Sequence, residues 1–520
     1  MFSSFKTLFS DVKSRIQCCI DSELKTICLE MWNLTQFNPQ ICVLIEDDMD
    51  KAAKEAKKKR EADKAWIKEQ TPSLPGINPP MTSAEILKMD TDHVKLEVGR
   101  PRALDGEAVL LFMLCRAYFD SVTSIDAVDR MRDSILLSEY LDARNMSMPC
   151  RSSMHGHLNN ISNTTRNSII QAQLRMVIQD GLEDSEKLAI DSFSMEGNTC
   201  WPTDSLMIRA LLKRAYHLMS KMDKFSLPSI TDSCVEKWLK ELHHIDFEMN
   251  CLAGKSNSIK KIKKLYMSYL KISDKTAGRL IKHVEKHHGA WDAAKFPPSK
   301  KNILNNIIKT IEDDIANSLY VATYAEDRVF SGIILSSKEK VLSLSEVSAA
   351  FIAKGGREPI IGYKPQIARS GNGFITAFEL MEGNNNDAMR FVPMIQQHID
   401  NIKIVPRIVA VDDGYSSKTN VEKLKLMGVR IVSISGSKGK KLISLEDWLN
   451  EEYKKARADR SAVESAIFTL RYKLNMHRFN RRGIEATQAE FSEKILVYNM
   501  LRTALIRCRL RDAASRKLAA

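Results

Sequence analysis

Apolar positions recur every three to four residues over most of this chain, and in short unbroken or alternating runs at only a few places. The pattern therefore predicts many helices around a small number of strands. Residues 1–70 read as helical, with a mixed-charge run at Asp47–Lys68 of the kind that forms a solvated helix face. Pro72, Pro75, Gly76, Pro79 and Pro80 mark 71–98 as a linker. Beyond it, Val109, Leu110, Met113, Leu114 and Tyr118 keep helical spacing, and short helices are expected at Ser124–Arg132, Leu136–Leu141 and from Arg151 toward Ile161, with Ser152 or Ser153 as its cap. Several short helices, the last opening on small polar and basic residues, suit a helix-turn-helix-like DNA reader as well as a plain bundle.

Leu188-Ala189-Ile190 runs into Asp191, which predicts a strand ending in a carboxylate. Helical periodicity follows at 206–222, 256–270, 275–288 and 301–319. Strand signals return at Tyr363–Ala368 and Phe374–Leu380, separated by the turn-forming Gly371-Asn372-Gly373. After a helix at Ala388–Ile399, the apolar run Arg407–Val411 ends in Asp412. A helix at Lys418–Met427 and a strand at Val429–Ile434 complete a parallel crossover unit. Last, Glu452–Leu474 reads as one long helix carrying Glu464.

Composition narrows the class. A chain of 520 residues with 44% apolar content fits two to four globular domains. A formal net charge of +13 points to a polyanionic partner. Ten cysteines without a Cys-x-x-Cys pair argue against a zinc ribbon and suit a reducing compartment. The longest apolar run, Ala108–Cys115, is far too short for a membrane span, and Met1–Ile20 lacks a signal peptide's apolar stretch. The expected location is the cytoplasm, with no membrane partner.

The three carboxylates carry the candidate chemistry. Asp191 and Asp412 end two strands that lie side by side if they pair, and a helix packed over their ends adds Glu464. Such an all-oxygen set suits Mg²⁺ or Mn²⁺. Two such ions activate a water and stabilise the leaving oxygen of a phosphodiester. On the expected helix, Arg460, Glu464 and Arg471 fall on roughly one face, which equally describes a solvated helix with an ion pair. Arg471-Tyr472-Lys473 and His477-Arg478-Phe479-Asn480-Arg481-Arg482 interleave basic and aromatic residues, as DNA-backbone contacts do.

From roughly Gly99 to Arg502 the sequence resembles the DDE transposases of bacterial insertion sequences whose catalytic core is interrupted after its first strand by a helical insertion. The motifs occur in family order. Gly99-Arg100-Pro101 and Pro149-Cys150-Arg151-Ser152-Ser153-Met154 bracket the amino-terminal DNA-binding region. Asp191-Ser192, Glu196, Asn198 and Pro202-Thr203-Asp204-Ser205 follow. Then come Gly362-Tyr363-Lys364, Gly383-Asn384 with Asp387, Val411-Asp412-Asp413-Gly414-Tyr415, Gly428-Val429, Arg460–Arg471 and Asn499. Departures are Arg457 where some relatives carry tyrosine, Arg471 where they carry lysine, and Asp413 where a basic residue is frequent.

The resemblance implies a multidomain α/β plus α fold. A ribonuclease H-like mixed-sheet catalytic domain would be built from 181–203 and 358–480, with a helical insertion at 204–357. It would be preceded by a helical, helix-turn-helix-like DNA-binding domain at 99–180 and followed by a basic helix at 481–520. The implied catalytic and metal-holding residues are Asp191, Asp412 and Glu464, with two Mg²⁺ or Mn²⁺ ions. Arg460, Arg471, Lys473, Arg478, Arg481 and Arg482 are the candidate DNA contacts. Double-stranded DNA, both transposon ends and target, and a homodimer on that DNA are the implied partners. A catalytically inactive repressor and a structure-specific nuclease are the rival readings. Asp204 is expected as a helix cap, Trp201 as a core residue, and the pairs His243-His244 and His287-His288 as solvated helix positions.

Overall fold

The computed structural model describes residues 23–70, 104–120, 124–255, 257–353 and 358–519. The linker at 71–98 and the opening Gly99-Arg100-Pro101 lie outside the described residues.

The strands are β1 (Lys187–Ser192), β2 (Met195–Glu196), β3 (Ala350–Ile352), β4 (Ile360–Ser370), β5 (Ile375–Met381), β6 (Ile408–Val411) and β7 (Ile431–Ile434). They form one mixed sheet whose main path runs β5-β4-β1-β6-β7. β1 is antiparallel to β4 and parallel to β6, and β6 is parallel to β7. The two-residue β2 and three-residue β3 both pair with the start of β4; neither is long enough to show a periodicity of its own. β6 is buried at every position, as its unbroken apolar run implies for a strand covered on both faces. The expected hairpin is present, with Gly373 at φ +100° in its turn.

Four helices between β2 and β3, Asp204–Ser220, Ser233–Leu252, Ile259–Asp292 and Pro298–Glu326, enclose a core of their own around Leu211, Tyr269, Trp291 and Ile311. The two helices expected at 256–270 and 275–288 are one helix of 34 residues. Ser273 and Thr276 turn their hydroxyls back onto the carbonyls of Leu270 and Ile272, so the polar interruption is absorbed without ending the helix.

The amino-terminal helices share a core with one face of the sheet. Ile27, Met31, Leu110, Phe112 and Leu174 pack in the same cluster as Phe374, Phe378, Phe491 and Ile495. The last helix, Ile484–Ala519, is expected as a basic tail, yet its first half is buried between those helices and the sheet. Asn499 there accepts from the Ile375 N–H at 2.9 Å and donates to the Ile375 carbonyl at 3.0 Å, pairing with edge strand β5 as another strand would.

Caps also differ from the sequence reading. Cys150, not Ser152 or Ser153, holds the N-cap position of the helix Arg151–Asn160, without a side-chain cap bond, and Asp204–Ser220 is capped by Thr203, whose hydroxyl accepts from the Leu206 N–H; Asp204 instead pairs with Arg328 at 2.7 Å. Trp201 is 52% exposed and meets Phe351 edge-on.

Candidate active site

Parallel pairing sets the first two acids level. Leu188 and Ala189 of β1 register with Val409 and Ala410 of β6, and Asp191 and Asp412 each lie two residues beyond the Ala189–Ala410 pair. Asp412 begins a 3₁₀ turn, Asp413–Tyr415, and accepts from the Gly414 N–H at 2.9 Å. A side chain at position 414 would put its Cβ 3.1 Å from Asp412 Oδ1 and 3.3 Å from Asp387 Oδ2, so glycine there lets two carboxylates approach from either side. Asp387 opens the helix Asp387–Ile402 and pairs with Lys364 of β4 at 2.8 Å. Beneath this group Tyr415 is fully buried, its hydroxyl bonded to Gln366 of β4. Burial, then the nearby charges of Asp387, Asp191 and Asp412, hold its phenol well above the ordinary range.

The adjacent Asp413 faces elsewhere. Gly436, at φ +101°, leaves room for its carboxylate, which accepts from the N–H groups of Lys438 and Gly439 at the start of the helix Ser437–Leu442. Burial raises its pKa, but those N–H bonds outweigh burial and hold it below the usual carboxylate value.

Glu464 comes from a helix that is not continuous. The segment expected as Glu452–Leu474 consists of Glu451–Asp459, Ala462–Phe468 and a π-helical turn at Thr469–Lys473. The middle helix seats Val463 and Ala466 in the core and leaves Glu464 57% exposed. Arg460, at the break, reaches both ways: Nη2 donates to Glu464 Oε1 at 3.0 Å, and Nη1 is 3.7 Å from Asp191 Oδ2. The π turn rotates Arg471 inward onto the Ser194 carbonyl just past β1, over the Phe193 ring.

The donors at this place are all carboxylate oxygens, the ligand type a hard divalent ion takes. Their chemistry fits Mg²⁺ or Mn²⁺. Among the described residues, however, no three acidic, histidine or cysteine side chains stand close enough to form a ready ligand cluster, and the Arg460 guanidinium fills the gap between Asp191 and Glu464.

Residues 344–500 match the family model described as transposase DDE domain. This stretch is similar to a transposase DDE domain. The match takes in less than a third of the chain, including Asp412, Arg460, Glu464 and Arg471, and begins after Asp191. It supports the resemblance to DDE transposases of insertion sequences that the ordered motifs carry. The chain matches no curated protein and no solved structure.

The candidate DNA contacts within the matched stretch are less uniform than their charge. Lys473 pairs with Glu23, and Arg478 donates to the carbonyls of Gly197 and Thr199, fastening the segment after β2. Arg481 is drawn inside the protein. It joins Arg116 and Arg166 around Glu493, whose side chain is fully buried. Arg482 stays exposed. Burial opposes the ionisation of Glu493, but Arg116, Arg481 and Arg166 outweigh it and hold the carboxyl far below its ordinary range. Arg116 itself is pushed down to about 10 by burial, against the pull of Glu493. This cluster lies at a cavity of about 1080 Å³, also lined by Arg151, His155, Asn159 and Asn163. From sequence, Lys364 and Asp387 stood only as members of the ordered motifs with no role assigned, and Gln366 and Glu493 carried no signal.

Proposed function

We propose that the chain is the DNA transposase of an insertion sequence, with a ribonuclease H-like catalytic core, acting in the cytoplasm on nucleoid DNA. The observation that supports this most is the placing of Asp191 and Asp412 at the level ends of two adjacent parallel strands, inside and beside a transposase DDE domain, with Glu464 joined to Asp191 through Arg460. The strand order β5-β4-β1-β6-β7, antiparallel on one side of β1 and parallel on the other, is compatible with that core.

In this reading Asp191, Asp412 and Glu464 hold two Mg²⁺ or Mn²⁺ ions. When bound, such ions activate a water and stabilise the leaving oxygen of a phosphodiester. The chain's own residues fix the geometry. The parallel register holds Asp191 and Asp412 side by side, the buried Tyr415 bonded to Gln366 lies within reach of their charges, and Lys364 pairs with Asp387. Arg471 is anchored to the Ser194 carbonyl just past β1, and in this reading its guanidinium would bind a DNA phosphate. The first cut releases a 3′-hydroxyl at the transposon end, and that hydroxyl attacks target DNA.

End recognition falls to 99–180. The helix Arg151–Asn160 buries Met154 and Leu158 and turns Arg151, Ser152, His155 and Asn159 to solvent along the wall of the large cavity. These side chains can bond base edges in a groove. A homodimer would hold two ends at once.

The test is an assay of the full-length chain with duplexes bearing the element's own ends, with and without Mg²⁺ or Mn²⁺. Metal-dependent cutting and joining is expected. End binding without cutting overturns the enzymatic reading in favour of a repressor. Cutting of branched DNA regardless of end sequence, without joining, makes it a nuclease.

A further inference from the structure

Arg460 occupies an unusual place for a residue expected to greet DNA. It sits at the break between Glu451–Asp459 and Ala462–Phe468, and the break turns its side chain over the end of β1. Its two terminal nitrogens engage different acids, Glu464 at 3.0 Å and Asp191 at 3.7 Å. It is 22% exposed and Asp191 13%, so the contact is partly withdrawn from water. A planar monovalent cation is thus clamped between the first and third acids of the candidate site.

Resting on the metal-site reading above, we propose that Arg460 is a displaceable occupant of the metal seat, which must leave Asp191 and Glu464 before a divalent ion can bridge them. Such an ion takes carboxylate oxygens at about 2.1 Å. The guanidinium bonds the same oxygens, and two cations in one gap repel at short range. The two occupants therefore exclude each other. A phosphate is the natural acceptor for the released side chain, because it offers a guanidinium two parallel charge-assisted bonds. Arg460 is exposed enough to swing outward, and its backbone keeps it beside the site. Engagement of a DNA backbone would then open the seat, so that metal loading and DNA binding are coupled through one side chain.

Mn²⁺ binding to the full-length chain without DNA, followed by the paramagnetic resonance of free Mn²⁺ or by calorimetry, tests this directly. Arg460→Gln is expected to bind Mn²⁺ about fivefold more tightly than wild type, the scale of one partly exposed ion pair. Arg460→Lys keeps the charge but cannot span both acids, and should fall between. Arg457→Gln removes the same charge three residues earlier, where the guanidinium lies 4.2 Å over the Trp448 ring, and should stay within about twofold of wild type. Thermal melts establish that each variant is folded; if Arg460→Gln is not, Arg460→Lys carries the test by the same direction of change. Binding by the Arg460 variants no tighter than by Arg457→Gln overturns the inference. Asp412→Asn separates the two levels. If it leaves Mn²⁺ binding unchanged, the metal seat itself is wrong. If it weakens Mn²⁺ binding while the Arg460 variants do not strengthen it, only the role of Arg460 falls.

Discussion

Glu493 and Glu464 are the same side chain put to opposite conditions. Glu493 is fully buried and takes bonds from Arg116, Arg166 and Arg481. Glu464 is 57% exposed and takes a bond from Arg460. The first is saturated: three guanidinium groups use both its oxygens, and the result ties the amino-terminal helices to the last helix. The second keeps oxygen lone pairs open to whatever enters from solvent. A carboxylate that organises a fold must have its bonds satisfied in advance, whereas one that serves a reaction must hold capacity back.

Asp412→Asn tests this contrast most severely. Removing one of the open carboxylates should lower metal-dependent DNA cleavage about ten-thousandfold, ~5 kcal/mol of barrier, while the urea midpoint stays close to wild type. A large loss of stability would show that Asp412 belongs with the saturated class. Glu493→Gln should do the reverse. It leaves buried guanidinium groups without their counter-charge and should cost about 4 kcal/mol of unfolding free energy, read by chemical denaturation. The pH dependence has a definite sign. The folded carboxyl lies below its ordinary value of 4.5, so its contribution to stability is full above that pH and is lost as the pH falls further toward the folded value. Glu493→Gln should therefore lose less stability between pH 5 and 3 than wild type, within roughly the range over which a carboxylate titrates.

The same contrast explains what could be read from sequence. Leu188–Asp191 and Arg407–Asp412 were legible because a strand buried on both faces is an apolar run, and a charge can follow only where the strand leaves the core. Gly371-Asn372-Gly373 was legible because its turn demands such residues. Arg481 was not. Its charge reads like that of Arg482, its neighbour, and only the meeting of residues 116, 166, 481 and 493 in space separates a half-buried ion from an exposed one. The break at Arg460 was hidden too, since no proline or glycine marks it and the apolar spacing continues across it.

Asp387 stands between the two classes and sharpens the boundary. It neighbours Asp412 across Gly414, yet it is paired with Lys364. If it supports the site without holding an ion, Asp387→Asn should lower cleavage about tenfold, the usual effect of a group that orients a ligand. Cleavage lost as fully as with Asp412→Asn would move Asp387 among the open carboxylates.

The smallest expected effect is the most local comparison, between Asp412 and Asp413. The two are consecutive, but the turn sends them to different tasks. Asp412 accepts from Gly414 and faces Asp387, whereas Asp413 receives the N–H groups of Lys438 and Gly439 and so caps the helix that follows β7. A lost carboxylate cap of this kind costs about 1 kcal/mol. Asp413→Ala should shift the denaturation midpoint by that amount and leave the cleavage rate of the folded protein within about twofold of wild type. Because the capping helix adjoins the turn that carries Asp412, a cleavage loss as deep as that of Asp412→Asn would mean that the cap sets the position of the proposed catalytic carboxylate. The division between bonds that hold the fold and bonds kept open for chemistry would then fail between two adjacent residues.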